Sequence, residues 1–221
     1  AKKVIVSANL KYAAASLPHD AAQLGVLKSA VASRPIILWA STHLGEEEIA
    51  LKLHASIKDE FKSVLSIIVP RHPKRGDDIS ALCAQTGLKH SRRSAGAVPD
   101  ASDDIYVADT LGELGLFYRL SKLVIMGGSF VKVGGHNPIE PAQLGCVIFY
   151  GPEMYNFTGI AADFEDQNAA IRVKDVADLT ANIKSYLSGP EKYADISQAA
   201  RNWTQEKSHI VDELSEALTP Y

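Results

Sequence analysis

The sequence is poor in cysteine, in long apolar runs and in excess charge, and each shortage removes a class of protein. Two cysteines in 221 residues, Cys83 and Cys146, cannot frame a disulfide scaffold of this size. Both have apolar neighbours and are expected to be small buried hydrophobes in a reducing compartment. No apolar stretch approaches the ~18 residues that would span a bilayer; the longest are 35–40 and 64–69. The start, Ala1-Lys2-Lys3-Val4, is positive but lacks a long apolar region behind it, so no signal peptide is expected. With 23 basic and 26 acidic residues the net charge is −3, and no nucleic-acid partner is expected. Neither Gly-x-Gly-x-x-Gly nor a Walker pattern occurs, which disfavours NAD and ATP. The 7 histidines show no His-x-x-x-His spacing, Cys-x-x-Cys and Asp-x-Asp are missing, and no metal is expected. A serine triad lacks its Gly-x-Ser-x-Gly elbow.

What remains is ordinary globular material, 46% hydrophobic and 22% charged. At ~150 residues per domain, the length allows one large domain, or one with a small appendage. Short apolar runs at 4–6, 36–39, 65–69, 105–107, 123–126 and 147–149 read as strands. Most are uniformly apolar, as suits strands of a parallel sheet covered on both faces. Helix-like segments lie between them at about 44–62, 75–87, 111–121, 138–145 and 175–187, with a terminal helical region at 191–218. Residues 90–104 read as a surface loop. The alternation predicts a Rossmann-like, doubly wound α/β fold with a mostly parallel sheet, a single domain over 1–221. In such sheets ligands bind beyond the carboxyl ends of the strands.

Four strand-to-helix junctions carry unusual chemistry. The first is Ser41-Thr42-His43-Leu44-Gly45-Glu46-Glu47-Glu48. Ser41 or Thr42 can cap a helix whose first turn is acidic, and Ser41, Thr42 and His43 can equally meet a ligand. The second, Pro70-Arg71-His72-Pro73-Lys74-Arg75, fixes its backbone with prolines and presents Arg71, His72 and Arg75, suited to phosphate or carboxylate. The third, Asp109-Thr110-Leu111-Gly112-Glu113, has capping-box spacing between Thr110 and Glu113. Gly112 there suggests that something approaches the backbone closely.

The fourth junction runs from Gly127-Gly128-Ser129 through Gly134-Gly135-His136-Asn137-Pro138-Ile139-Glu140. Asn137 fits an N-cap, Pro138 the first helical position and Glu140 a capping-box glutamate. Capping leaves Ser129, Gly135, His136 and the glycine pairs unexplained, and glycine-bared backbone at a helix start can cradle an anion.

Ala8-Asn9-Leu10-Lys11-Tyr12, Ser41-Thr42-His43-x-Gly45-Glu46, Pro70-Arg71-His72-Pro73-x-Arg75, Asp109-Thr110-x-Gly112-Glu113-Leu114, Gly127-Gly128-Ser129, Gly134-Gly135-His136-Asn137-Pro138-x-Glu140 and Gly151-Pro152 with Asn156-Phe157 occur in that order. This series resembles the C-terminal half of the 3-deoxy-D-manno-octulosonic acid (Kdo) transferases. The likeness runs from residue 5 to about 160, and the last sixty residues match only in helical character. Ala8 stands where Gly is usual, and Leu111 where Met is common.

The resemblance implies the donor half of an inverting GT-B glycosyltransferase that moves Kdo from CMP-Kdo to the lipid A precursor of lipopolysaccharide. It places the work at the cytoplasmic face of a Gram-negative inner membrane. It assigns the acceptor site, membrane association and general base to an N-terminal half outside this sequence. No catalytic residue is therefore expected here, and no metal or other cofactor is implied. CMP contacts carry over to Pro70 and Arg71, to Leu111, Gly112 and Glu113, and to Asn137, Pro138, Ile139 and Glu140. Another GT-B enzyme, such as an epimerase or a UDP-sugar transferase, is the alternative; a non-catalytic nucleotide-binding module is another. The 191–218 region is expected to pack loosely, because the terminal helix of GT-B proteins crosses to the other half.

Overall fold

Among the described residues every neighbouring strand pair is parallel in one sheet of seven, ordered β3-β4-β2-β1-β5-β6-β7. The computed structural model describes residues 16–218, with side-chain surroundings to Ser208. The expected strand at 4–6 and the Ala8–Tyr12 motif lie outside the described residues. The strands are β1 Ile36–Thr42, β2 Leu65–Pro70, β3 His90–Arg92, β4 Ile105–Val107, β5 Leu123–Met126, β6 Val147–Tyr150 and β7 Ile171–Arg172. The helices are α1 Ala21–Val31, α2 Glu46–Ile57, α3 Gly76–Thr86, α4 Leu114–Leu120, α5 Ile139–Gln143, α6 Thr158–Asp166, α7 Val176–Ser188 and α8 Ala194–Leu218.

Side chains alternate across a strand, so each run feeds two cores. Leu38 and Ala40 join Ile67, Val124 and Ile148 on one face, under α1, α4, α5, α6 and α8. Ile37 and Trp39 join Ile68, Ile125 and Phe149 on the other, under α2, α3 and α7. Both faces are covered, which is why the strands read as unbroken apolar runs. Cys83 and Cys146 are free and buried, and burial pushes both thiols up to about 12.

Two expectations need correction. Residues 90–92 are not loop: His90-Ser91-Arg92 forms the parallel edge strand β3 against β4, followed by a 3-10 turn at Arg93–Ala95. Half-buried polar side chains disguise that edge. The terminal helix is not loose along the part whose side chains are described. Ala200 and Trp203 are fully buried, and Trp203 meets Phe164 edge-on at 4.8 Å. That part of the helix therefore belongs to the core on one face of this sheet. α1, α6 and the two-residue β7 were not anticipated from the sequence.

The strand order fixes where a site can form. From β1 the chain builds outward through β2 to β3 and β4, then returns to place β5 on the other side of β1. The order reverses between β1 and β5, and connections leaving those carboxyl ends diverge to open a crevice.

Candidate functional site

At that reversal the glycine loop after β5 is tied to the end of β1 by one buried carboxylate. Glu46 opens α2 and is fully buried. Its Oε2 accepts the amides of His43 at 2.9 Å and Gly128 at 2.7 Å, and its Oε1 those of Ser129 at 3.1 Å and Phe130 at 3.0 Å. Burial holds this carboxyl above the usual range while the amides pull against it. Glu47, also buried, accepts from Thr42 Oγ1 at 3.0 Å and from two Arg75 nitrogens at 3.2 Å. These two glutamates therefore organise the loops, instead of merely complementing a helix dipole. Arg75 belongs to the scaffold and not to a free basic turn.

Neither Ser41 nor Thr42 caps α2; Gly45 occupies that position without a side-chain cap. Ser41 instead takes φ +62° at an irregularity where β1 shifts register against β2. A left-handed non-glycine residue stores backbone strain, and such residues gather at functional sites. Its carbonyl sits so close to Gly127 that a Cβ there would lie 2.2 Å from the oxygen. Gly135, at φ +76°, is hemmed by Met154, whose sulfur would lie 2.2 Å from a Cβ. Protein atoms make both of these close approaches.

Ser41, Arg71, His136, Asn137 and Glu140 line one cleft of about 280 Å³ with Leu114, Tyr118 and Phe157. Those five were sequence candidates; the other three were missed, because an apolar or aromatic side chain at helical spacing reads as core. The exposed Arg71 guanidinium has no ion-pair partner among the described residues. His136 and His43 meet edge to edge, rings 8° from parallel, centroids 5.0 Å apart and Nε2 to Nε2 2.8 Å. One imidazole donates to the other's lone pair. Burial, with His43 and Arg71 nearby, pushes His136 down to about 4. His43 is also lowered, by burial and then by His72, Arg71 and Arg75.

α5 starts without the expected capping box. Asn137 Oδ1 accepts the Ile139 amide at 3.2 Å, and Asn137 Nδ2 donates to Glu140 Oε1 at 3.3 Å. Glu140 therefore does not reach back to a backbone amide. Burial raises its carboxyl above the usual range, opposed by the Asn137 bond.

The third junction stands beside this cleft. Gly112 and Glu113 line a hollow of about 190 Å³ with Pro18, His19, Asp20 and Leu116. Glu113 accepts from Thr110 and from Arg93, at 3.0 Å from Nε and 2.6 Å from Nη2; the Arg93 bonds hold its carboxyl low. Thr110 and Glu113 thus bond each other instead of forming a capping box. Gly112 needs its glycine for φ +79°, with open space where a Cβ would sit, and Leu111 is 78% exposed. The idea of a close approach there fails within the protein itself.

Other candidates are absorbed by the scaffold. Ser129 is buried, donating to Met126 O at 2.6 Å and accepting from Gly151 N at 2.8 Å. Pro70, Thr42, Pro138 and Ile139 are buried at element ends. Among the described residues no group of three His, Cys, Asp or Glu is placed to hold a metal ion, and no helix is long and apolar enough to cross a membrane. Hollows of about 290 and 400 Å³ lie around Lys122, at the opposite, amino ends of β1, β5 and β6. They lack the histidine pair and the reversal of strand order.

No protein-family model matches the chain. A 3-deoxy-D-manno-octulosonic acid transferase of Rickettsia felis is 33% identical over 216 residues, covering 96% of this chain and 46% of the relative. The chain thus spans about half the length of the curated relatives it matches. The crystal structure of the C-terminal CMP-Kdo binding domain of WaaA from Acinetobacter baumannii superposes with a TM-score of 0.78 at 33% identity. It covers 82% of this chain and 95% of that one. A glycosyltransferase from Rickettsia africae, at 16% identity and a TM-score of 0.62 over 89% of this chain and 51% of that one, shares the fold.

Proposed function

Because the chain belongs to the family of C-terminal domains of the Kdo transferases, we propose that its cleft at the strand-order reversal binds CMP-Kdo for transfer of the sugar. One observation carries the reading: an unpaired guanidinium, Arg71, shares a 280 Å³ cleft with Asn137 and Glu140 at the carboxyl end of a parallel sheet. That is the chemistry a nucleoside monophosphate requires, a cation for phosphate and a carboxylate for hydroxyls.

Arg71 faces the donor phosphate, and Pro70 fixes the backbone beneath it. Glu140 accepts from ribose hydroxyls, oriented by Asn137, while Pro138 and Ile139 set the start of α5. Gly112 and Glu113, in the adjoining hollow, frame the cytosine together with the exposed Leu111 next to them in the chain. As the anomeric carbon gains positive character, the leaving phosphate gathers negative charge. A fixed cation in a partly enclosed cleft stabilises that charge.

The attacking hydroxyl comes from the lipid A precursor. The general base, the acceptor site and the membrane-associating surface belong to the other half of the full-length enzyme, working at the cytoplasmic face of the inner membrane. No metal is required in this reading.

Calorimetric titration with CMP, UMP and UDP tests the assignment. CMP binds more tightly than either uridine nucleotide if this is the CMP-Kdo site. Preference for UDP points instead to a UDP-sugar enzyme or an epimerase and overturns it.

A further inference from the structure

The hollow beside the cleft holds a carboxylate oxygen that the protein leaves unused. Glu113 and Leu114 are consecutive, yet Glu113 lines this hollow and Leu114 the cleft, so the two spaces adjoin. Glu113 itself is spent, because Arg93 and Thr110 donate to its two oxygens. Arg93 also donates to Gln23 Oε1 at 2.9 Å, which ties the first turn of α1 to the junction that carries Glu113.

Asp20, the N-cap of α1, lines the same hollow. Its Oδ1 accepts the Gln23 amide at 3.0 Å, while Oδ2 has no partner among the described residues. The residue is exposed, so that oxygen stays within reach of a ligand. Gly112, on the same lining, has open space where a Cβ would sit, which leaves room for a flat ring. With Glu113 matched by Arg93, Asp20 supplies the hollow's one unpaired negative charge, next to a cleft that offers the Arg71 guanidinium. A carboxylate only accepts hydrogen bonds. On a pyrimidine it selects the 4-amino group of cytosine, since uracil carries at that corner a carbonyl oxygen that the carboxylate repels.

We propose that Asp20 is the residue that selects cytosine, its free Oδ2 accepting a hydrogen bond from the 4-amino group of the base. The assignment rests on the donor-site reading above and adds the contact that separates a cytidine from a uridine nucleotide.

The test measures CMP, UMP and a pyrimidin-2-one nucleotide, which has hydrogen in place of the amine, against the parent chain and Asp20→Asn in calorimetry, with thermal melting alongside. Asparagine caps a helix about as well as aspartate, so the melting temperature should hold. Its amide can present a donor where the carboxylate only accepts. CMP affinity should fall about tenfold, the size of one hydrogen bond to a charged group, while UMP affinity holds or rises. The pyrimidin-2-one nucleotide should bind the parent about tenfold more weakly than CMP and lose nothing further in the variant. Equal changes for all three nucleotides overturn the Asp20 assignment, since they report overall charge. A variant that keeps the parent's preference for CMP overturns it as well. A parent chain that fails to bind CMP, or does not prefer it to UMP, overturns the donor-site reading, and this assignment with it.

Discussion

Arg71 and Glu140 bring opposite charges to one cleft, so each should answer to a different part of a bound nucleotide. Arg71→Ala should weaken CMP binding by about 1.5–3 kcal/mol, the range for hydrogen bonds to charged groups. The loss should shrink for cytidine, which has no phosphate; equal losses in calorimetry would assign Arg71 to pocket shape. Glu140→Gln keeps size and removes charge. Its stability should change by no more than about 0.5 kcal/mol, while CMP affinity falls by about 1–3 kcal/mol. A variant that binds CMP as well as the parent would reduce Glu140 to a partner of Asn137. The candidacy of Ser41, Arg71, His136, Asn137 and Glu140, which line one cleft, was legible because such residue types at strand ends have few structural uses. That of Tyr118 was not, since an aromatic side chain at helical spacing reads as core.

At the scale of elements, the glycine loop and α2 form one unit through Glu46. The acidic run Glu46-Glu47-Glu48 looked like a helix-dipole partner, because the sequence cannot show an amide 82 or 84 positions away turning toward it. Glu46→Ala should leave buried amides of His43, Gly128, Ser129 and Phe130 without an acceptor. At about 1–3 kcal/mol for each unmatched group, partly relieved by relaxation, urea unfolding should show a loss of at least ~3 kcal/mol. A loss below ~1 kcal/mol would mean that the loop holds its shape by glycine geometry alone. The central strands β1, β2, β4, β5 and β6 were readable because burial on both faces demands unbroken apolar residues. β3 and β7 escaped because an edge position lets polar side chains such as His90 and Arg92 stand half exposed. The packing of α8 was misjudged because family geometry was weighed above Trp203, whose burial against Phe164 anchors the helix here.

For the whole molecule, one buried and one half-buried histidine link stability to pH. His54 on α2 lies fully buried, its Nδ1 2.9 Å from Ser66 Oγ and its Nε2 3.5 Å from Asp104, and burial pushes it down to about 4. His136 is likewise pushed down to about 4. The unfolded chain takes up these protons near the ordinary histidine value of about 6.5, before the folded chain can. Stability should therefore be full above about pH 6.5 and fall as pH drops toward 4, by on the order of 2–3 kcal/mol for His54 and less for His136, whose cleft position lets solvent screen it. Urea unfolding across that window checks this, and His54→Gln should flatten the slope. An unchanged slope in that variant would remove His54 from the account.

The central claim is that the nucleotide sits at the strand-order reversal and not in the hollows around Lys122, a distinction that amide chemical-shift mapping during a CMP titration makes most directly. The predicted result is saturable shifts centred on Arg71, on Leu111 to Glu113 and on Asn137 to Glu140, unaltered by EDTA. Shifts centred instead on Arg34, Lys122 and Tyr186, or none at saturating CMP, would contradict the account.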